Sequence, residues 1–194
     1  QKFKRDVITE IAATLSFSAL QNNDKVGVLL FSDQVELFIP PKKGKFHILR
    51  IIRELLEFKP ISLKTSLGVA LEFLLGVLKK KAIVFILSDF MDKGYEKTLQ
   101  IAVKKHDLTG IRIYDKIESA FPNIGMIPLI DNETKYTNWV NTGSRSIRLI
   151  YEKKYKEHVQ YFEQVFKKNG GGIINCRIDE SYVKKLLGYF KSRI

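Results

Sequence analysis

The sequence predicts an α/β fold, a doubly wound and mostly parallel sheet flanked by helices, and three observations predict it. Apolar runs of strand length alternate with helical stretches of ten or more residues along the chain. The two greasiest runs, "KVGVLLF" and "AIVFIL", are continuous rather than alternating, as expected of strands covered on both faces. With 194 residues, 45% of them hydrophobic and 28% charged, the chain is sized for one domain with a sizeable core, spanning 1–194.

From Phe3 to Leu20 the apolar residues Phe3, Val7, Ile8, Ile11, Ala12, Leu15 and Ala19 recur at three and four, which predicts a helix with one buried face. "KVGVLLF" is then a strand, and "VELFI", a few residues on, pairs with it as an antiparallel hairpin through Ser32 to Gln34. Pro40 and Pro41 are expected to stop the second strand. "KFHILRIIRELLEF" returns to helical spacing through Phe46, Leu49, Ile52, Leu55 and Leu56. After the polar loop "ISLKTS", Leu67 to Leu78 reads as a buried helix and Ala82 to Leu87 as a strand. A helix from Tyr95 to Lys105, the strand "LTGIRIY", and a hairpin of "MIPLID" with "TNWV" follow. A long helix from Arg145 to Lys168 carries the stripe Ile147, Tyr151, Tyr155, His158, Phe162 and Phe166. Gly170 to Gly172 end it, "IINCRI" is the last strand, and Tyr182 to Phe190 the closing helix.

Composition excludes several classes. No apolar segment approaches the roughly 18 to 20 residues that span a bilayer, and "QKFKRDVITE" has no signal core, so a cytoplasmic protein is expected, membrane-associated at most through regions or partners outside this chain. Cys176 is the single cysteine and reads as a buried strand thiol. The net charge of +12 invites a nucleic-acid reading. The lysines, however, are scattered in pairs and triplets at helix ends and polar faces, where they complement helix dipoles, so no specific nucleic acid is expected.

No glycine-rich phosphate loop follows a strand, no nucleophile elbow occurs, and His47, His106 and His158 stand singly without a partner at ligand spacing. What remains are carboxylates at strand ends: Asp89 after "VFILS", Asp115 after "GIRIY" and Asp131 after "MIPLI", with Glu118 and Glu133 just beyond two of them. In doubly wound sheets ligands collect at this carboxyl edge, and such oxygens suit a hard cation such as Mg2+. Each aspartate equally serves as a helix cap or turn residue, the more ordinary role for Asp115 and Asp131. Thr65, in a loop before a helix, offers Asp89 a second hard oxygen.

The collinear segments "NNDKVGVLLFSD", "PPKKGK", "KTSLGVALEFL", "AIVFILSDF", "KKHDLTGIRIYD" and "PNIGMIPLIDNET" resemble the bacterial family catalogued as domain of unknown function 58, over nearly the whole chain. That family is similar to von Willebrand factor A domains, and the resemblance implies their fold and a metal-ion-dependent adhesion site built from three segments. Thr65 in "LKTSL" matches the second segment, and Ser88 and Asp89 in "ILSDF" match the third. The first, D-x-S-x-S at the end of the first strand, does not occur in this sequence. The chain is therefore expected to be the C-terminal part of a longer protein, lacking the first, central strand, and to bind a divalent cation weakly or not at all.

The resemblance further implies a non-enzymatic protein–protein interaction module. Its partner would supply a carboxylate to the ion, and the module would act as an adaptor beside a MoxR-type AAA+ ATPase or its client. Two alternatives remain from the residues themselves. One is a metal-dependent phosphohydrolase using Asp89, Asp115 and Asp131, and the other a basic nucleic-acid-binding domain.

Overall fold

A computed structural model of the chain describes residues 3–120, 122–130 and 137–193. The elements run α1 (Lys4–Gln21), β1 (Val26–Phe31), β2 (Val35–Lys42), α2 (Lys45–Glu57), α3 (Leu67–Val77), β3 (Ile83–Ser88) and α4 (Glu96–Lys105). They continue β4 (Asp107–Tyr114), α5 (Lys116–Ser119), β5 (Met126–Ile130), β6 (Thr137–Asn141), α6 (Arg145–Asn169), β7 (Gly172–Arg177) and α7 (Tyr182–Lys191). The expected order of helices and strands is present, with the short α5 added. Strands β3, β4 and β7 form a parallel sheet with β4 in the middle, β1 and β2 an antiparallel hairpin, and β5 and β6 a second hairpin.

Among the described residues, β1 pairs with β2 alone and β3 with β4 alone, so the sheet falls into two parts. Helices hold the parts together. On one face α1 sends Val7 and Ile11 onto Phe85 and Leu87 of β3, and Ala12 into the cluster of Val28, Leu30 and Ile39. On the other face Leu67 and Leu71 of α3 pack with Phe31 of β1 and with Val84 and Ile86 of β3. The consequence for burial is visible: six consecutive residues of β4 are buried, whereas β3 has one buried residue, Ile86, in its length. A run as greasy as "AIVFIL" thus sits on the margin of the parallel sheet rather than at its centre.

Three other expectations need correction. Strand β2 continues through Pro40 and Pro41 to Lys42, because it is an edge strand and the missing amides interrupt no ladder there. Opposite them Gly27 sits in a bulged stretch, where a Cβ would stand 2.9 Å from the Pro41 nitrogen. In α2 the buried residues are Ile48, Ile51 and Leu55, of which the expected stripe held Leu55, while Phe46, Leu49 and Leu56 are exposed. Helix α3 buries only Leu67, Ala70 and Leu71, being covered on one side rather than all round.

The deepest packing lies between β4 and α6. Gly110 lets the helix come close, since a Cβ there would stand 2.7 Å from Phe166 Cε1. Phe162 and Phe166 of α6 are fully buried, and Phe90 stacks on Phe162 with ring centroids 4.1 Å apart. Phe90 itself has φ of 55°, a left-handed backbone that a bulky side chain rarely adopts. The turn after β3 is therefore held by an aromatic anchor against its own backbone preference. Elsewhere Cys176 is buried, and burial pushes its thiol up to about 11, as expected of an inert strand cysteine.

Truncating this anchor separates the two effects. Phe90→Ala is expected to cost about 3–5 kcal/mol for the lost ring. Phe90→Gly, which relieves the positive φ, is expected to be more stable than the alanine variant by about 1 kcal/mol, reversing the usual order. Urea denaturation of both variants checks this, and a glycine variant less stable than the alanine one would contradict it.

Candidate functional site

The carboxyl ends of β1 and β3, the first turn of α1 and the loops before α3 and α5 converge on one rim. Ser88 is the last residue of β3, and its Oγ accepts the Phe90 N–H at 3.1 Å, starting the turn that Phe90 locks. Asp89 Oδ1 accepts the Met91 N–H at 3.4 Å. Asp92 reaches across to the next loop, its Oδ2 accepting the Leu67 N–H at the start of α3 at 2.7 Å. That bond ties the loop carrying Thr65 to the loop carrying Asp89. A second tie joins this loop to the turn between β1 and β2, where Ser66 N–H donates to the Ser32 carbonyl at 2.9 Å. Glu36 of β2 completes the frame by accepting the Ile61 N–H at 2.9 Å and the Ser62 N–H at 3.3 Å.

The second oxygen of Asp89 faces a cation. Lys4 Nζ, in the first turn of α1, lies 3.2 Å from Asp89 Oδ2 and 2.6 Å from Glu118 Oε1. Burial pulls the Lys4 ammonium down, but its hydrogen bond to Glu118 and the charges of Asp89 and Glu118 outweigh that, so its pKa is raised. The ammonium thus stays charged throughout the physiological range. In register beside Ser88 stands Arg112 of β4, almost wholly buried. Its Nε donates to Asn175 Oδ1 at 2.8 Å, its Nη1 donates to the Tyr155 hydroxyl at 2.9 Å, and its guanidinium lies 4.0 Å from the Tyr114 ring centre.

The structure therefore places the expected residues as follows. Ser88 and Asp89 stand at the carboxyl edge, and Thr65 is exposed in the neighbouring loop tied to theirs through Asp92 and Leu67. Asp115 is turned into a cap: its Oδ1 accepts the Ile117 N–H at 3.1 Å, and Glu118 accepts the Asp115 N–H at 3.3 Å. Asp131 and Glu133 lie outside the described residues. Among the described residues, no group of three or more histidine, cysteine or carboxylate side chains is gathered as a metal cluster. Sequence reasoning missed Lys4, Asp92 and Arg112. A lone arginine in the apolar strand "GIRIY" was a readable sign of a buried polar network, whereas the reach of Lys4 across the sheet left no trace in local spacing.

The donors at this rim are hard oxygens, which fit Mg2+ in kind. Of Thr65, Ser88 and Asp89, only Asp89 carries charge, and its charge is already shared with an ammonium. The fit is one of donor type alone: one carboxylate and two hydroxyls would leave most of an ion's coordination to water or to other groups.

Comparison with known proteins agrees with this picture at the level of fold and family. The solved structure of the conserved hypothetical protein BatB from Bacteroides thetaiotaomicron superposes with a TM-score of 0.55, covering 95% of this chain and 86% of that one at 14% identity. An uncharacterized protein of Mycobacterium tuberculosis is 19% identical over 193 residues, 98% of this chain, which spans 61% of that relative's length. A second uncharacterized protein, from Mycobacterium avium, is 21% identical over 158 residues, 80% of this chain and 93% of its own. The family described as Protein of unknown function DUF58 matches residues 1–161, and this chain belongs to it.

Proposed function

We propose that this chain is a non-enzymatic protein–protein interaction module whose carboxyl edge is the docking face, carrying the Thr65 and Ser88–Asp89 segments of a metal-ion-dependent adhesion site. One observation carries the reading. The elements and loops that carry Lys4, Thr65, Asp89 and Glu118 also expose five large apolar side chains, Phe3, Ile61, Leu63, Met91 and Ile117, each between 42% and 80% exposed. Each lies within two residues of Lys4, Thr65, Asp89 or Glu118, or on the loop that Glu36 holds. Exposed apolar side chains on the segments that bear charged groups suit a protein interface better than a small-molecule pocket. A partner carboxylate docking at this edge would meet the Lys4 ammonium or a cation held by Asp89. The family resemblance names a MoxR-type AAA+ ATPase, or its client, as the partner, with the chain as adaptor.

Mg2+ at this site would act as a bridge between chains, drawing a partner's carboxylate onto its open positions. The residues of this chain would orient it: Asp89 by its charge, Ser88 and Thr65 by neutral hydroxyls. With so little charge compensation the chain alone is expected to bind the ion weakly, at about 1 mM or worse.

A Mn2+ titration of this chain, beside one extended at its amino end to include a D-x-S-x-S segment, tests the site. The extended chain is expected to bind at least about tenfold tighter, a difference of 1.4 kcal/mol, and Asp89→Ala to abolish binding in both. Tight binding by this chain that survives Asp89→Ala would overturn the assignment. Lys4→Gln, which removes the competing ammonium, is expected to tighten Mn2+ binding by about three- to tenfold, the equivalent of one or two exposed ion pairs. Unchanged or weaker Mn2+ binding in that variant would deny Lys4 this role. For the docking face, Ile61→Asp and Met91→Asp are expected to lose binding to a purified MoxR-type ATPase at unchanged thermal stability, and full binding by both would contradict the proposed face.

A further inference from the structure

Helix α2 is fixed by its inner face. Ile51 and Leu55 pack into the cluster of Ile39, Val28 and Leu30, His47 Nε2 donates to the Val26 carbonyl at 2.8 Å, and Arg5 Nη2 donates to the Leu56 and Phe58 carbonyls at 2.7 and 2.6 Å. The outer face has a different make-up. Phe46, Leu49, Arg53 and Leu56 recur at spacings of three and four, so they share one side of the helix, and Arg50 stands one turn beyond Phe46. Phe46 is 87% exposed, the most open large apolar side chain among the described residues, and Leu49 and Leu56 are exposed with it.

Three exposed lysines lead into this face, Lys42 at the end of β2, Lys43 after it, and Lys45 as the first residue of α2. Elsewhere paired lysines such as Lys104 and Lys105, or Lys167 and Lys168, sit in the last turn of a helix, where they offset the charge of the terminal carbonyls. At the start of α2 the same charges oppose the helix dipole. No acidic residue stands in the first turn there, and the N-cap Gly44 has no side chain to offer. Helix stability therefore does not account for these lysines. From Lys42 to Glu57 the chain carries five lysines and arginines against two carboxylates, Glu54 and Glu57, and Glu54 already pairs with Arg50 at 4.0 Å.

We propose that the outer face of α2, with the lysines that lead into it, rests on an anionic lipid surface, Phe46 entering the headgroup layer and the lysines and arginines meeting lipid phosphates. Exposed aromatic and aliphatic side chains interleaved with lysine and arginine are the composition of a helix that lies in a membrane interface. The interleaving also sets this occupant apart from a protein. Arg50 and Arg53 stand among Phe46, Leu49 and Leu56, so a partner's groove closing over the face would strip both guanidiniums of water and would have to match each with a carboxylate. In a headgroup layer their stems lie along apolar surface while the charged ends stay among phosphates and water. The net charge of +12 adds attraction to the same surface at longer range. No helix among the described residues is long and apolar enough to cross a bilayer, so the contact is interfacial. This face is separate from the carboxyl rim and does not rest on the reading of that rim.

Co-sedimentation of this chain with vesicles of phosphatidylcholine alone, and of phosphatidylcholine mixed with phosphatidylglycerol, tests the proposal. Binding is expected to the anionic vesicles only, and to weaken as salt is raised. A lysine near a charged bilayer contributes about fivefold in affinity, so Lys42→Gln combined with Lys43→Gln is expected to weaken binding by about 25-fold. Lys153→Gln with Lys154→Gln, which removes the same charge from the exposed side of α6, is expected to change it by less than about twofold. Phe46→Ser is expected to lower affinity about tenfold at unchanged Tm. Lys45→Glu separates binding from folding, since an acid in the first turn is expected to keep or raise Tm while vesicle binding falls by about tenfold or more. Equal losses in the two lysine pairs would reduce the effect to net charge and overturn the proposal. So would equal binding to both vesicle types, or binding to neither, which would leave a protein partner as the occupant. Pelleting without vesicles that Phe46→Ser abolishes would assign the face to a second copy of the chain and overturn it likewise.

Discussion

The pairing of β4 on both of its edges is the constraint on which the rest of the structure depends. Its ladder to β3 runs from Ile83 opposite Asp107 to Ser88 opposite Arg112, and its ladder to β7 from Thr109 opposite Gly172 to Tyr114 opposite Arg177. With both edges closed, its faces can be covered completely. Leu108 and Gly110 meet α6, while Ile111 and Ile113 join the cluster of Val7 and Leu186. The cost of closing such a strand against helices is conformational entropy, and burial of the large rings of Phe162, Phe166 and Phe90 offsets it.

That arrangement also decides where chemistry can occur. The β3 strand ends beside Arg112, and its last turn is forced into a left-handed conformation by an aromatic ring drawn under α6. The rim therefore takes its shape from Phe90, not from its ion pairs. Lys4 with Asp89 and Glu118 is partly exposed, and pairs of that kind contribute about 0–1 kcal/mol each. Breaking such pairs costs the fold little. By contrast, Arg112 and Tyr155 are buried, and their network runs on through the partly buried Asn175 and Glu163, tying β4 and β7 to α6.

Much of the fold was legible in the sequence because helical and strand periods are local properties. The alternation of elements, the hairpin of β1 with β2 and the hairpin of β5 with β6 all follow from spacing and turn residues. Errors arose where tertiary position overrides local pattern. Pro40 and Pro41 break a central strand but not an edge, and edge status depends on what lies beside the strand. The apolar residues of α2 outnumber the places available in the core, so periodicity alone did not choose Ile48 and Ile51 over Phe46 and Leu49. For the rim, strand-end chemistry picked out Asp89 and its capping alternative for Asp115, whereas Lys4, 85 residues away in sequence, is joined to Asp89 only by the fold.

The division of the sheet between β1 and β3 is what sets this rim apart from a continuous sheet edge, its two sides being joined by loop hydrogen bonds and by the packing of α1 and α3. Residue-resolved amide hydrogen exchange of this chain tests it most directly. Every second amide of β3, and every second amide of β1, faces away from its partner strand and is expected to exchange far faster than its neighbours, while β4 amides exchange only with global unfolding. Uniform protection along Ile83 to Ser88, equal to that of β4, would show the edge to be paired and would contradict the account.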